Sequence, residues 1–560
     1  GRRVYYYLRE CRRVKGRPKV VRQVYLGRAE DILRAMGQEP GERPASRLRN
    51  ASVREFGAVA ALYGMARRLG IVETIDRHVP MRPSSGLSVG TYLLLAALNR
   101  ALAPQSKARL GAWYRRTSLP RWIPASPGQL TSQRFWDHMD RVPVDALPAI
   151  ESEISARVVR DFKLDLGCLL YDATNFFTFI DSFNHASTLA QRGHSKEGRD
   201  NLRILGLALL VTREEIPLFH HLYPGNHVDA PTFRSLIDTL VARYHQIAQE
   251  TDDITLVFDK GNNAEDTIQR LDGSPYHFVG SLVPTQHRDL LAVPRKQMRR
   301  LASPALDGVW AYRTTKKVFG TERTVLVTFN QGLYDAQVQT LEAEITKKSL
   351  QLRRRQRKLA RWERGPLRGR APTLAQARRS VTQILHRRQV RELFRTTVTS
   401  GKGGHPKLSY HFDGVAWRKL QRTLLGKTLL FTDQETWSDE EIVRAYRGQT
   451  HVESCFRQMK DPHFLSFRPT RHWTDQKLRV HAFYCVLALL LCSLLRREVA
   501  RKGLNLSICR LLESLGNIRE VLVLEHGPKG RPRTHRVLSE LDDEQKRLMD
   551  ILDLAHFLAA

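Results

Sequence analysis

Cysteine is scarce in this chain, and its spacing excludes the common cysteine-based sites. The six cysteines are Cys11, Cys168, Cys455, Cys485, Cys492 and Cys509. None of them stands in a C-x-x-C pair, so we do not expect zinc knuckles or thioredoxin-like chemistry. Sparse, unpaired thiols are typical of a reducing compartment, and we therefore predict a cytoplasmic protein without a disulfide framework.

Long hydrophobic runs and nucleotide-binding loops are also missing. The longest apolar stretch, 482–495, contains Ser493 and is shorter than the ~18–20 residues that a membrane span needs. It predicts a buried core helix and no membrane partner. The absence of a G-x-x-x-x-G-K-[ST] loop argues against an ATPase motor. No signal peptide and no internal repeat is apparent.

Acidic residues are too few to balance the basic ones. The chain has 91 Lys and Arg against 57 Asp and Glu, which gives a net charge of +34. A field this positive favours a polyanionic partner, with nucleic acid first and an anionic membrane second. The 560 residues are 42% hydrophobic, which is globular composition and excludes a disordered or collagen-like chain.

The pattern of the sequence changes several times, and these changes predict the domain organisation. We expect a basic β-hairpin arm (1–50), a helical N-terminal domain for DNA binding or dimerisation (51–160), an α/β core (161–300 and 425–500), an insertion (301–424) and a helical tail (501–560). For the arm, a solvated charged segment is an equally good interpretation. Three to five domains suit this length.

The core and its insertion differ in their sequence patterns. Alternating apolar strands and a helix (231–247) predict a mixed sheet with flanking helices, with strands at 167–174, 202–211, 216–223, 254–258 and 276–282. In the insertion, β-rich sequence (307–333) precedes a basic helical hairpin. Residues 345–395 contain 17 Lys or Arg and two acids. Such an unbalanced surface favours DNA contact over a merely solvated face.

Three carboxylates are the candidate catalytic residues. Asp172 is expected at or near the end of the first core strand, Asp259 follows the strand 254–258, and Glu453 lies on a helix predicted at 438–460. Mg²⁺ prefers oxygen ligands, and two such ions can stabilise the attacking and the leaving oxygen of phosphoryl transfer. A single Asp at a strand end is more often a turn former or helix cap, so the case depends on neighbouring motifs.

The neighbouring motifs resemble one known family. Residues 446–460 read YRGQTHVESCFRQMK, and Tyr446, Glu453 and Lys460 match the Y-R-E-K signature of DDE transposases of the insertion-sequence-four superfamily. The segments YDATNF (171–176), GHSKE (193–197), IPL (216–218), YPGN (223–226) and VFDKG (257–261) are similar to the insertion sequence 1634 branch. The resemblance covers about 165–500 and, more weakly, the arm.

This resemblance implies an RNase H-like fold and a set of roles. Asp172, Asp259 and Glu453 would hold two Mg²⁺, for which Mn²⁺ would substitute, while Tyr446 and Lys460 would hold DNA phosphate. The signature Arg falls on Gln449 here, which has no charge and cannot form the bidentate fork to phosphate. Arg457, one turn beyond Glu453, is the candidate for the missing charge. For Lys196 and Asn226, DNA contact and bracing of the sheet are about equally good interpretations.

We therefore expect a transposase that binds terminal inverted repeats and cuts and joins DNA by cut-and-paste. Its partners would be the repeats, target DNA and a second copy of the chain, because two ends must usually be cut together. The expected location is the bacterial cytoplasm or nucleoid. Two alternatives stay open: a nuclease on the same core that does not transpose, and an inactive DNA-binding repressor.

Overall fold

Strands and helices are both abundant in the computed structural model, as an α/β fold requires. The model describes residues 5–14, 17–35, 48–80, 86–199, 201–227, 233, 237, 253–365, 370–468, 470–526 and 532–559. The strands are β1 (Tyr6–Val14), β2 (Arg17–Gly27), β3 (Leu48–Glu55), β4 (Cys168–Phe177), β5 (Ile204–Thr212), β6 (Pro217–Pro224), β7 (Ile254–Phe258), β8 (Tyr276–Ser281), β9 (Arg299–Arg300), β10 (Val309–Val318), β11 (Thr321–Asn330), β12 (Phe394–Ser400), β13 (Pro406–Phe412), β14 (Lys427–Thr432), β15 (Arg519–His526) and β16 (Pro532–Leu538).

The α-helices occupy most of the remaining described chain. They are Ala29–Ala35, Gly57–Arg68, Ile71–His78, Val89–Leu102, Lys107–Tyr114, Leu119–Trp122, Ser132–Asp140, Ala146–Phe162, Glu265–Asp272, Arg288–Leu291, Gln331–Arg364, Leu374–Ile384, Arg388–Arg391, Gly414–Thr423, Asp439–Arg447, Gln449–Lys460, Asp475–Arg501, Ile508–Asn517, Asp543–Ile551 and His556–Ala559.

A large mixed sheet organises the fold and confirms the predicted α/β class. Among the described residues it has nine strands, in the order β6-β5-β4-β7-β8-β14-β11-β10-β9. The three consecutive strands β4, β5 and β6 pair antiparallel. Strand β5 is buried along its whole length, which its uninterrupted apolar sequence ILGLALLVT predicts for a central strand.

Contacts divide the chain into two compact units. The first unit contains 1–256 and 448–560, and the second contains 257–447. The predicted core, 161–300 and 425–500, has residues in both units. The predicted insertion, 301–424, lies wholly in the second.

The first unit is built around one long helix, Asp475–Arg501. Thr474 caps its N-terminus, because the Thr474 side chain accepts a hydrogen bond from the backbone of Lys477. This is the one described helix that is long and apolar enough to cross a membrane, and 94% of its apolar window is buried in the protein. The predicted core helix is thereby confirmed, and its packing against Val89–Leu102 and β6 accounts for its apolar sequence.

The second unit has a separate small core in its insertion. The helix Gln331–Arg364 packs Leu341, Leu352 and Leu359 against the β12–β13 hairpin and its neighbouring helices. The exposed side of this helix is basic, with Lys347, Arg353, Arg354, Arg357, Lys358 and Arg361 all exposed. Burial and charge therefore occupy opposite sides of one helix, as expected for an amphipathic helix that borders solvent.

Several predicted elements differ from the observed ones. The tail 501–560 was expected to be helical, but it contains β15 and β16, which form a three-stranded sheet with β3. The alternation of buried Val521 and Val523 is a strand pattern that the helical interpretation missed. The segment expected as a second insertion helix ends at Ile384, and strand β12 begins at Phe394.

Other predicted elements agree or cannot be compared. The two arm strands pair as an antiparallel hairpin, β1 with β2. The strand predicted at 254–258 has these bounds, and 202–211 and 216–223 are shifted by only one or two residues. The helix predicted at 231–247 lies outside the described residues, apart from single positions. Cys168, Cys455, Cys485, Cys492 and Cys509 are free cysteines.

Candidate functional site

Asp172 lies in the middle of β4 and not at its end. The strand continues to Phe177, because residues 173–177 pair with 204–208 of β5. Opposite Asp172 in the ladder is Leu209, and the Asp172 side chain is half-buried. The predicted end at residue 174 was wrong since Asn175, Phe176 and Phe177 extend the strand instead of starting a turn.

Glu453 lies on the helix Gln449–Lys460, whose two ends are hydrogen-bonded to β4. Gln449 Nε2 donates to the carbonyl oxygen of Tyr171 at 3.2 Å, and Lys460 Nζ donates to Thr174 Oγ1 at 2.8 Å. These two contacts flank Asp172 in sequence. The helix also buries Val452, Cys455, Phe456 and Met459.

Helical geometry then fixes the direction of Glu453. Gln449, Glu453 and Lys460 are separated by four and seven residues, so they share one face of the helix. Gln449 and Lys460 contact β4 on that face, so Glu453 lies on the side of the helix that faces β4, the strand that carries Asp172. The Glu453 side chain is exposed. Arg457 is exposed one turn further on. The structure thus brings Asp172, Gln449, Glu453 and Lys460 to one helix–strand pair of the first unit.

Tyr446 does not belong to the same helix as Glu453. The helix predicted at 438–460 is interrupted at Gly448, which precedes Gln449 as the N-cap of the second helix. The single helix predicted at 438–460 was therefore wrong, because this segment forms two helices. Glycine at this position has a low helix propensity, and it separates Asp439–Arg447 from Gln449–Lys460.

Asp259 follows β7 directly, as predicted, and is held by its neighbours in the second unit. Its Oδ1 accepts hydrogen bonds from Ser281 Oγ at 2.7 Å and from Tyr446 OH at 3.0 Å. Lys260 Nζ lies 3.5 Å from Oδ2. Burial alone would raise the pKa of Asp259, but the bond from Ser281, the charge of Lys260 and the bond from Tyr446 lower the pKa overall. Asp259 is therefore a carboxylate at neutral pH.

Lys460, the last residue of the helix Gln449–Lys460, is partly buried among charged neighbours of both signs. Burial lowers the pKa of Lys460, the charges of Lys196 and Arg468 lower it further, and Glu197 opposes them. Sequence reasoning assigned no role to Glu197 or Arg468. Glu197 lies in the quoted GHSKE segment, but Arg468 stands beside a proline in a loop without periodicity, where no sequence signal marks it.

The structure also bears on Lys196. Its Nζ donates to the carbonyl oxygen of Ala173 at 2.7 Å, next to Asp172 in the strand. Asn175 holds the loop that carries it, because Asn175 Oδ1 accepts from Lys196 N and Asn175 Nδ2 donates to the carbonyl of His194. This geometry braces β4 and also places an exposed ammonium beside the candidate site.

The donor type of the three acids suits a hard cation such as Mg²⁺, since all offer carboxylate oxygens. Among the residues that the structure describes, however, no group of three or more His, Cys, Asp or Glu side chains is arranged to hold a metal ion.

Comparison of the chain with known protein families and curated proteins found no match.

Proposed function

We propose that this chain is a metal-dependent DNA transposase of the DDE class, which binds the terminal inverted repeats of an insertion sequence and moves it by cut-and-paste. The motif at 446–460 suggests the family. The single observation that carries the proposal is the helix Gln449–Lys460, which is hydrogen-bonded at both ends to β4 on either side of Asp172. This arrangement suits a carboxylate pair at a phosphoryl-transfer site.

An RNase H-like core is part of this proposal. The antiparallel strands β4, β5 and β6, followed by the sheet neighbour β7, are compatible with it. The helices between Gly57 and Phe162 would form the proposed N-terminal domain for DNA binding or dimerisation. A homodimer on DNA follows from the need to cut two ends together.

The proposed roles follow from the chemistry of each side chain. Asp172, Asp259 and Glu453 would together bind two Mg²⁺, which when bound supply the Lewis acidity for the attacking and leaving oxygens. Tyr446 and Ser281 hold the Asp259 carboxylate in place through their hydrogen bonds. Lys460 would contact a backbone phosphate.

The surface charge supports a DNA substrate. The net charge of +34 and the exposed basic side of Gln331–Arg364 provide phosphate contacts that do not depend on DNA sequence. We propose that this helix contacts the backbone outside the cleavage site.

The test is a cleavage assay with Mg²⁺ on labelled DNA that carries the terminal repeats of the element. We expect the wild type to cut at the repeat boundary and to give joined products. Asp172→Ala, Asp259→Ala and Glu453→Ala should each abolish cleavage while DNA binding remains. Asp543→Ala, which removes an exposed carboxylate of an ion pair with Lys546 in the tail, is the matched control and should cut normally.

Other outcomes would identify the alternatives. Cleavage without end specificity and without joined products would indicate a nuclease that does not transpose. Repeat binding without cleavage by the wild type, unchanged by Glu453→Ala, would indicate a repressor. In that case Gln449→Arg would be tested next, because it restores the signature charge.

A further inference from the structure

Glu197 lies between two basic residues at the end of the helix Gln449–Lys460. Its Oε2 accepts a hydrogen bond from Arg468 Nη1 at 2.9 Å, while its Oε1 is 3.7 Å from Lys460 Nζ. Arg468 Nη2 also donates to the carbonyl oxygen of Lys460 at 3.0 Å, which fixes the guanidinium to the helix end. All three side chains are mostly buried, with 22–24% exposed.

A third cation completes this group, which we call the Glu197 cluster: Lys196, Glu197, Lys460 and Arg468. Lys196 Nζ and Lys460 Nζ contact Ala173 and Thr174, which are consecutive residues of β4 directly after Asp172. The cluster therefore has three positive charges and one negative charge at the strand that carries the candidate catalytic acid. Lys196 is exposed, but Lys460 and Arg468 are partly buried and share Glu197 as the one counter-charge within the cluster. Partly buried charges are costly unless a counter-charge is near, so this excess favours an anion.

Glu197 is only a partial counter-charge for the basic residues of the cluster. Its Oε1 is buried and accepts no hydrogen bond, although a buried carboxylate oxygen normally has a donor within reach. Its 3.7 Å separation from Lys460 is an ion pair without a hydrogen bond. The carboxylate is thus a poor partner for Lys460, and a better acceptor could replace it.

The guanidinium of Arg468 also contacts an aromatic ring. It lies over the ring of Phe177 with its Cζ 4.5 Å from the ring centroid, and Arg199 lies over the same ring at 5.6 Å. Cation–π stacking of this kind restricts the guanidinium and prepares it for a planar, charge-assisted contact. Phosphate oxygens are suitable acceptors for such a contact.

We propose that the Glu197 cluster is a binding site for a backbone phosphate of DNA, in which the phosphate displaces Glu197 from Lys460 and Arg468. This inference rests on the proposed function for its substrate class and deepens it. It assigns the charge that Gln449 lacks to Arg468 and Lys196, at the other end of the helix. Gln449 in turn positions the helix through its bond to Tyr171.

The direction in which one substitution changes the affinity for DNA tests this assignment. Glu197→Gln removes the internal competitor, so affinity for a short labelled duplex of arbitrary sequence should increase several-fold in the presence of EDTA, where no cleavage occurs. If Glu197 were only a structural brace, its loss would leave affinity unchanged or reduce it, and that result would overturn the proposal. Glu544→Gln is the control, because Glu544 also pairs with a basic residue, Arg510, in the tail, to which no DNA contact is assigned. It should leave affinity nearly unchanged.

A second variant keeps the test decisive if Glu197→Gln folds poorly. Arg468→Gln should weaken duplex binding and reduce the slope of log affinity against log salt by about one, as expected for the loss of one phosphate contact. An unchanged slope in a folded Arg468→Gln variant contradicts the site.

The cleavage assay separates this inference from the proposed function. Specific cleavage combined with unchanged affinity of Glu197→Gln would reject the Glu197 cluster alone. Tighter binding by Glu197→Gln without any cleavage by the wild type would reject the transposase and leave the phosphate site standing.

Discussion

At the scale of single residues, the hydroxyl of Tyr446 has a specific partner in Asp259. The resemblance implies that this tyrosine holds DNA phosphate, whereas here its hydroxyl donates to Asp259 Oδ1 at 3.0 Å. A hydrogen bond to a carboxylate both orients the group and keeps it ionised. Tyr446 is therefore a positioning residue for Asp259 in this structure.

Removing the Tyr446 hydroxyl should reduce the rate of DNA cleavage more than DNA affinity. We expect Tyr446→Phe to lower the single-turnover cleavage rate roughly fivefold, since one such bond contributes about 1 kcal/mol. Duplex affinity should stay unchanged. Tyr312→Phe makes the same change elsewhere in the second unit and serves as the control. Lost affinity with an unchanged rate would instead assign Tyr446 to phosphate binding.

The imidazole of His221 makes the stability of the first unit depend on pH. Burial, the charge of Arg479 and the neighbouring His220 lower the pKa of His221 from 6.5 to about 4. Between these values the unfolded chain binds a proton that the folded protein does not bind. The free energy of unfolding therefore falls as the pH falls from about 6.5 to about 4, by up to ~1.4 kcal/mol per pH unit.

Replacing His221 should remove this contribution. For His221→Asn we expect a smaller decrease of unfolding free energy between pH 6.5 and about 4, measured by urea denaturation at several pH values. His194→Asn changes an exposed histidine and should retain the wild-type decrease. If both variants follow the wild type, the pKa of His221 is not the cause.

At the scale of elements, the helix Gln331–Arg364 depends on a few buried leucines. Leu352 is completely buried in the insertion core, whereas Leu350, two residues earlier on the same helix, is 51% exposed. This pair allows the contribution of burial to be measured without a change in residue type or helix.

The expected effects of the two leucine substitutions differ strongly. Leu352→Ala should lower the free energy of unfolding of the second unit by about 2–5 kcal/mol, because it leaves a cavity in a packed core. Leu350→Ala should change it by less than about 0.5 kcal/mol. Denaturant unfolding followed by a probe in the insertion measures both. Similar losses for the two variants would show that the helix does not pack as described.

Gln449 begins the helix that carries Glu453 and has a structural contact there. The helix that carries Glu453 starts at Gln449, directly after Gly448, and its first residue donates to the neighbouring strand. Gln449, the one departure from the family signature, thus has a structural role in this chain. The contact is a hydrogen bond from an uncharged amide to the Tyr171 carbonyl, so it does not depend on a positive charge.

At the scale of the whole molecule, the high net charge and the large mixed sheet are the two features that bear on the proposed function. The charge of +34 favours polyanions over long distances and makes such binding sensitive to salt. In the nine-stranded sheet Asp172 belongs to β4, and Asp259 directly follows β7.

Much of the architecture was predictable because local sequence patterns determine local structure. Uninterrupted apolar sequence identified β5 and β7, and the apolar stretch 482–495 identified the buried helix. The strands of the tail were missed because a short alternating pattern competes with helical periodicity until pairing with β3 decides between them. The length of β4 was underestimated for the same reason, since its second half is stabilised by pairing with β5.

The sequence by itself determined the α/β class, the basic character and the set of candidate acids, because composition, periodicity and motif spacing are local properties. Only the tertiary structure decided which groups meet. It placed Tyr446 on Asp259, Gln449 on Tyr171, and Glu197 between Lys460 and Arg468. These partners are far apart in the chain, and their contacts depend on strand pairing and helix packing, which no local pattern encodes.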